Sequence, residues 1–415
     1  MDNKNANLES LLEEVEIEVK GVYSLIEKTA LKNLDKVLKA FRRAKISDFH
    51  LKGTTGYGYG DRGREGLESV YADIFKAESA LVRSQIVSGT HAIALCLYGV
   101  LRPGDELLAV QGNPYDTLSE MIGIRGRAPG SLKDLGVSYK QVGLTKEGQV
   151  DLSAIGQAIC ENTRMVMLQR SSGYRWAKSL SIPDIREITG YIRNIKKDIL
   201  IFVDNCYGEL VEEEEPVEAG ADLVAGSLIK NPGGGLAPTG GYVVGRSKYV
   251  EMAASRWSAP GIGSEVGPSG DCQRLLFQGL FLAPHIVSEA LKGAVFAARF
   301  FERLGFDVLP KYNERRGDIV QAIKVGTADK MIAFCRGIQA ASPIDSHVRP
   351  EANTMPGYED PVVMAAGTFV QGASLELSAD GPIRPPYVVY LQGGLCKEHV
   401  KLAVLWAARE VLKLS

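Results

Sequence analysis

Apolar residues recur at helical spacing along the first stretch of the chain. Leu8, Leu11, Leu12, Val15, Val19 and Val22 sit among glutamates and lysines, which predicts an amphipathic helix over residues 7–45. Residues 52–63 are glycine-rich and show no period. A second helix is predicted after them, with Leu67, Val70, Tyr71, Ile74 and Phe75 on one face. The pattern then changes. Short apolar runs at 106–110, 138–142, 165–168, 199–203, 222–229 and 241–244 alternate with helical stretches near 90–101, 151–161 and 183–197. Apolar strands separated by helices predict an α/β fold whose central sheet is mostly parallel and covered by helices on both faces. Beyond Ser269 one long helix is predicted over about 272–304, then strands at 318–323, 368–377 and 387–391, and a last helix from Lys397. The chain therefore reads as an N-terminal helical segment (1–50), a large α/β domain (51–269) and a smaller α+β C-terminal domain (270–415).

Composition narrows the function. A chain of 415 residues is too long for one small core. With 48 Lys and Arg against 50 Asp and Glu, the net charge is −2, so bulk attraction to nucleic acid or to an anionic membrane is not expected. The run Glu212 to Glu215 reads as a solvated acidic loop. No uninterrupted apolar run is long enough to span a bilayer, and the charged N-terminus lacks an apolar signal region. The six cysteines form no CxxC pair, which argues for reduced thiols, no metal site and a cytoplasmic location.

The candidate chemistry lies at strand ends. The run 222–229 leads into Lys230, and Asn231-Pro232-Gly233-Gly234-Gly235 follows at once. The run 199–203 ends in Asp204. A lysine and an aspartate held at the ends of two buried strands suit pyridoxal phosphate (PLP): the amine forms the Schiff base and the carboxylate keeps the pyridinium nitrogen protonated. Ser227 lies three residues before Lys230, within reach of an anion, and Thr239 offers a further hydroxyl. In Ser88-Gly89-Thr90-His91-Ala92, backbone N–H groups at a helix start join the Ser88 and Thr90 hydroxyls in a phosphate cup, although an ordinary Ser cap reads the same way. Tyr115, after the strand 107–110, is placed to lie against a planar cofactor or simply to pack in a turn. Arg384 stands between Pro382 and Pro385-Pro386, a setting that pre-organises two-point carboxylate binding.

Two formal motifs fail on context. Gly58, Gly60 and Gly63 make a GxGxxG, but no buried strand precedes them, so a dinucleotide site is rejected. The better reading is an exposed loop whose Tyr57, Tyr59, Arg62 and Arg64 reach an anion, in a neighbouring subunit or in their own, with Tyr57 a candidate substrate contact beside Arg384. Ser227-x-x-Lys230 matches the SxxK of penicillin-recognising hydrolases, but their SDN and KTG elements are missing.

Taken together, SGTHA, PYDT, FVDN and SLIKNPGGG with a following GGY resemble the fold-type-I PLP enzymes (aspartate aminotransferase-like), in their cystathionine/methionine lyase-like branch. The group most similar is the aluminium resistance protein or methionine γ-lyase-like family, and the likeness runs from Gly53 to Ser378. The resemblance implies a homodimer or homotetramer with active sites at subunit interfaces. It implies Schiff-base formation at Lys230, a pyridinium partner in Asp204, ring stacking by Tyr115 and phosphate binding by Gly89, Thr90 and Ser227. Tyr59 and Arg62 resemble the loop tyrosine and arginine that reach a neighbour's phosphate. The spacing departs from the Tyr-x-Arg of better-known lyases, which leaves Arg62 and Arg64 both open. The activity implied is a carbon–sulfur lyase acting on a sulfur amino acid, by β- or γ-elimination, with Lys230, Asp204 and Tyr115 as the catalytic residues. The alternatives are a PLP-dependent aminotransferase or other amino-acid lyase, and a non-catalytic PLP-binding or metal-stress protein.

Overall fold

A computed structural model describes residues 2–126, 128–355 and 357–414, with side chains from Leu8 onward. The helices are α1 (Asp2–Arg43), α2 (Arg62–Ile74), α3 (Gly89–Val100), α4 (Asp116–Ile122), α5 (Leu152–Ala158), α6 (Ile182–Ile195), α7 (Ser247–Trp257), α8 (Gln273–Arg303), α9 (Ala328–Ala340) and α10 (Lys397–Leu412). Strands β1 (Ser79–Arg83), β2 (Glu106–Ala109), β3 (Ser138–Gln141), β4 (Thr163–Gln169), β5 (Leu200–Asp204), β6 (Leu223–Ser227) and β7 (Gly241–Gly245) form one sheet in the order β1-β7-β6-β5-β4-β2-β3. Only β7 runs antiparallel to its neighbours. The second sheet holds β8 (Asp307–Leu309), β9 (Val320–Lys324), β10 (Val362–Ala365), β11 (Ser378–Pro382) and β12 (Val388–Gln392), all antiparallel, in the order β10-β11-β12-β9-β8.

The parallel sheet is buried on both faces, which is why its strands read as unbroken apolar runs. In β5, Ile201 and Val203 enter one core layer with α2, α6 and α8, while Leu200 and Phe202 enter the other with α3 and α7. A third core joins Val15, Val19 and Tyr23 of α1 to α8, α9, α10 and the second sheet. Residues 270–303 are long and apolar enough to cross a membrane by composition, but 78% of their most apolar window is buried inside the fold.

Several local expectations are corrected. The segment 85–87, which the sequence reads as a strand leading into the Ser88 helix start, is a turn: β1 stops at Arg83 and the Ile86 N–H returns to the Arg83 carbonyl. Residues 368–377 are loop, closed by Glu376, whose carboxylate accepts the Phe369 and Val370 N–H groups at 2.8 and 3.0 Å. The acidic run is solvated only in its middle, at Glu213 and Glu214. Glu215 is fully buried and Glu212 pairs with Arg170 at 3.0 Å. Arg170 is itself fully buried just past β4, and a buried guanidinium requires anionic partners.

Candidate active site

The carboxyl ends of the parallel strands converge on one cleft, the place where open α/β sheets hold ligands. Asp204 closes β5. Lys230 follows β6 by three residues, because the chain turns at Leu228 and Ile229 rather than continuing as strand. The turn is fixed from two sides. Asn231 donates its side-chain amide to the Tyr207 and Glu209 carbonyls at 3.0 and 2.9 Å, tying the lysine loop to the loop after β5. Gly234 has φ +53°, and an added Cβ would lie 2.1 Å from the Gly279 carbonyl oxygen of α8. No side chain fits there, so the glycine run seats the lysine loop directly on the long helix.

Lys230 Nζ lies 3.8 Å from the centre of the Tyr207 ring. Burial pulls its pKa down, but Cys206, Tyr207, Asp204 and Glu209 outweigh burial and hold the ammonium above its ordinary value. Asp204 is only 9% exposed and accepts the Cys206 N–H at 3.1 Å. Burial raises its pKa, while Lys230 and that N–H oppose the rise. The cleft thus holds an amine and a carboxylate whose charges feel each other.

The start of α3 lies against the same strand ends. A Cβ on Gly89 would fall 2.9 Å from Cys206 Sγ and 3.5 Å from Ser227 Cβ, so Gly89, Cys206 and Ser227 are in close contact around the helix terminus. Ser88 Oγ accepts the His91 N–H at 3.0 Å, so it caps the helix as its ordinary reading required, and its hydroxyl proton stays free to donate. Thr90 Oγ1 meets Thr117 Oγ1 at 3.2 Å. Thr239 is committed elsewhere, donating to the Ser84 carbonyl at 3.3 Å. First-turn N–H groups of a helix lack intrahelical acceptors and favour an anion. An amine to condense with an aldehyde, a buried carboxylate and an anion-binding helix start fit the three functional ends of pyridoxal phosphate.

The cleft has two lobes that share Tyr115 and Tyr174. The inner lobe, about 190 Å³, contains Lys230, Tyr207, Tyr358, Ser378 and Asp380. The outer lobe, about 380 Å³, contains Asn113, Asp116, Gln169, Arg175 and Arg384. Tyr115 stands just before α4, its hydroxyl bonded to that of Tyr358, and burial raises its pKa well above the phenolic range. The two arginines differ in availability. Arg175 is engaged by main-chain carbonyls, through Nε to Ser172 at 2.9 Å and through Nη1 to Gln111. Arg384 is partly exposed and meets one side chain, Asp360, at 3.0 Å.

The 56–64 loop behaves differently. Tyr57 and Tyr59 are 74% and 69% exposed, Arg62 is exposed, and none of the three lines either lobe. Arg64 is buried, donating to the Gly58 and Gly267 carbonyls at 2.7 and 2.9 Å. It clamps the loop, which leaves Arg62 as the arginine with a free head group. Sequence reasoning missed Tyr174, Tyr207, Tyr358, Ser378 and Asp380. Tyr207 carried a signal, three residues beyond Asp204. Ser378 and Asp380 follow the predicted strand 368–377, which is loop in the structure, and Tyr174 and Tyr358 come from segments with no strand-end pattern.

Comparison with known proteins agrees with this geometry. The chain is 54% identical over 401 residues to YnbB of Bacillus subtilis, an uncharacterized protein, covering 96% of this chain and 95% of that one. It superposes with TM-score 0.93 on the carbon–sulfur lyase involved in aluminum resistance from Clostridium novyi NT, 48% identical, covering 97% and 95% of the two chains. A Bacillus cereus protein superposes with TM-score 0.94 at 53% identity, covering 97% and 99%. At the level of fold alone, the pyridoxal-5'-phosphate-dependent protein YhfS of Escherichia coli superposes with TM-score 0.64 at 17% identity. The family model for methionine gamma-lyase matches residues 8–412, and the chain belongs to that family of fold-type-I, pyridoxal phosphate-dependent enzymes.

Proposed function

We propose that this protein is a carbon–sulfur lyase that cleaves a sulfur amino acid with the help of PLP held covalently by Lys230. The observation that carries the reading is the placement of Lys230 and Asp204 in one buried cleft against the start of α3. PLP supplies, when bound, a sink for the electrons left at the substrate Cα. Asp204 holds the proton on its ring nitrogen. Gly89, Thr90, Ser88 and Ser227 hold its phosphate, with Tyr59 and Arg62 contributed by a second copy of the chain. Their exposure in the single chain, outside the lining of either lobe, favours a homo-oligomer.

The remaining residues act on substrate. Arg384 exchanges Asp360 for the substrate carboxylate, and Tyr57 is a further substrate contact from the second copy. The Lys230 amine, freed when the substrate's own amine takes its place, takes the Cα proton. For sulfur on Cβ, the carbon–sulfur bond then breaks with its electron pair going to sulfur as a Cα–Cβ double bond forms; for sulfur on Cγ, a Cβ proton must leave first; in both cases the neutral Tyr115 hydroxyl protonates the departing thiolate. The relatives' names support this reaction, and the charge-neutral composition suits a cytoplasmic enzyme of small-molecule metabolism.

The test is an absorption spectrum of the purified protein with and without borohydride, followed by assays of thiol, ammonia, pyruvate and 2-oxobutyrate from cysteine, cystathionine and methionine. Pyruvate would mark β-elimination and 2-oxobutyrate γ-elimination. Conversion of PLP to its amine form, reversed by a keto acid and without thiol release, would mark an aminotransferase instead.

A further inference from the structure

The inner lobe carries polar groups that the reaction above leaves unused. Ser378 and Asp380, two residues apart, lie on one face of β11 and point into the lobe beside Lys230. The opposite face, through Ala379, packs in the core of the small sheet. Asp380 is 7% exposed. Gln392 of β12 donates to its Oδ2 at 3.2 Å. The other carboxylate oxygen, Oδ1, and the Ser378 hydroxyl oxygen are buried and have no hydrogen-bond partner within 3.5 Å among the described residues. Tyr174 favours the ionised carboxylate from nearby, yet it does not meet hydrogen-bond geometry at Oδ1.

A buried carboxylate oxygen without a donor is costly, so a fold that keeps one leaves it for a ligand that brings the donor. The walls say which kind. Tyr115, Tyr174, Tyr207 and Tyr358 surround the same space, and aromatic faces with a carboxylate attract cations. Lys230 already rests its ammonium on the Tyr207 ring. A methyl or other alkyl group in the lobe would bury Oδ1 further and offer it nothing.

We propose that Asp380, assisted by Ser378, selects substrates whose sulfur substituent ends in an ammonium group. The substrate class is then an L-amino-acid thioether with a distal cation, in preference to plain S-alkyl amino acids such as methionine. This rests on the lyase reading and specifies the half of the substrate that leaves with sulfur. Asp380 sets specificity and takes no part in bond breaking.

The PLP-loaded enzyme is assayed with S-(2-aminoethyl)-L-cysteine and S-propyl-L-cysteine, which have the same chain length and differ in the terminal ammonium. The corresponding homocysteine pair covers cleavage at the γ-carbon. Thiol release gives kcat/KM, and the change in the cofactor's absorption spectrum on mixing gives a dissociation constant for each compound. The wild type is expected to favour the aminoethyl member by about 10- to 100-fold, the range of a hydrogen bond to a buried charged group. Asp380→Asn, which keeps shape and loses charge, should bring that ratio near unity, the ratio being read within the variant and its PLP occupancy measured alongside. Ser378→Ala should lose part of the preference. Equal use of the two compounds by the wild type overturns the proposal, whatever the folding of the variants. An undiminished preference in a folded Asp380→Asn enzyme also overturns it. Failure to cleave any of the four compounds sinks the lyase reading instead, and the spectroscopic dissociation constants then decide the cation preference alone.

Discussion

Replacing Asp204 by Asn tests the core of the site, because it changes charge and almost nothing else. The side chain ends β5, is nearly buried, and accepts the Cys206 N–H through an oxygen that an amide also provides. Local structure should therefore hold. Two quantities change. In the cofactor-free protein the Lys230 ammonium loses an anionic neighbour and keeps the Tyr207 ring and Glu209. Losing one partner of a fully buried ion pair costs about 3–5 kcal/mol. Lys230 is partly exposed and Asp204 already bears a burial penalty, so about 1–2 kcal/mol is the reasonable share here. In the loaded enzyme a neutral amide cannot hold the proton on the ring nitrogen. Removing one such pre-organised electrostatic contact costs roughly 3–4 kcal/mol of barrier, a fall of about 10²- to 10³-fold in kcat. Thermal unfolding of the cofactor-free protein reads the first quantity. Turnover with α-deuterated substrate reads the second, and the isotope effect should grow as proton removal becomes limiting. A folded, PLP-loaded variant with near-normal kcat would refute the reasoning and assign the ring nitrogen to another acid.

Lys230→Ala should lose both turnover and the borohydride-reducible cofactor adduct; an adduct that persists, located by mass spectrometry, would move the covalent site to another lysine. Arg384→Lys should lower kcat/KM for the amino acid by about 10- to 100-fold with PLP occupancy unchanged, because an ammonium cannot make the two-point contact. Loss of PLP with unchanged substrate affinity would instead put Arg384 at the phosphate. Glu209 is fully buried, and burial pushes its pKa up to about 8, opposed by the Tyr242 hydroxyl that donates to it at 2.8 Å. A carboxyl group raised in the folded state stabilises below its unfolded pKa and loses that contribution as pH rises through 8. Glu209→Gln should therefore flatten the fall of the urea midpoint between pH 5 and pH 8, and an unaltered slope would mean that Glu209 is charged throughout. Asp380, raised to about 7 by burial against the opposing effects of Tyr174, Gln392 and Lys230, acts on binding with the opposite sign, because a cationic substrate needs the ionised carboxylate. With Tyr115, Tyr207 and Tyr358 facing the same lobe and their hydroxyls neutral, the preference for a cationic substrate should weaken as pH drops below 7. A preference constant down to pH 5.5 would contradict that assignment.

What the sequence determined by itself is the part of the site that local pattern encodes. A strand buried on both faces must be a run of apolar residues, so a polar residue that stops the run, such as Asp204, marks the sheet's edge. Lys230 was legible for the same reason, from the run before it and the glycines after it, although β6 ends two residues earlier than the run suggests. The start of α3 was legible from its serine cap. Tertiary structure decided the rest. The choice between Arg62 and Arg64 turns on which guanidinium the Gly58 and Gly267 carbonyls consume, and residue 267 lies some two hundred positions away. The fate of the acidic run depends on Arg170, which needs buried counter-charges only because β4 carries it inside. The inner lobe exists only where the small sheet meets the large one. Strand β11 reads Ser-Ala-Asp-Gly-Pro, a composition with no strand signal, and forms a strand because β10 and β12 pair with it on either side. Its Asp380 becomes part of the site through that pairing and through the docking of the two sheets, a long-range contact that no local spacing of residues records.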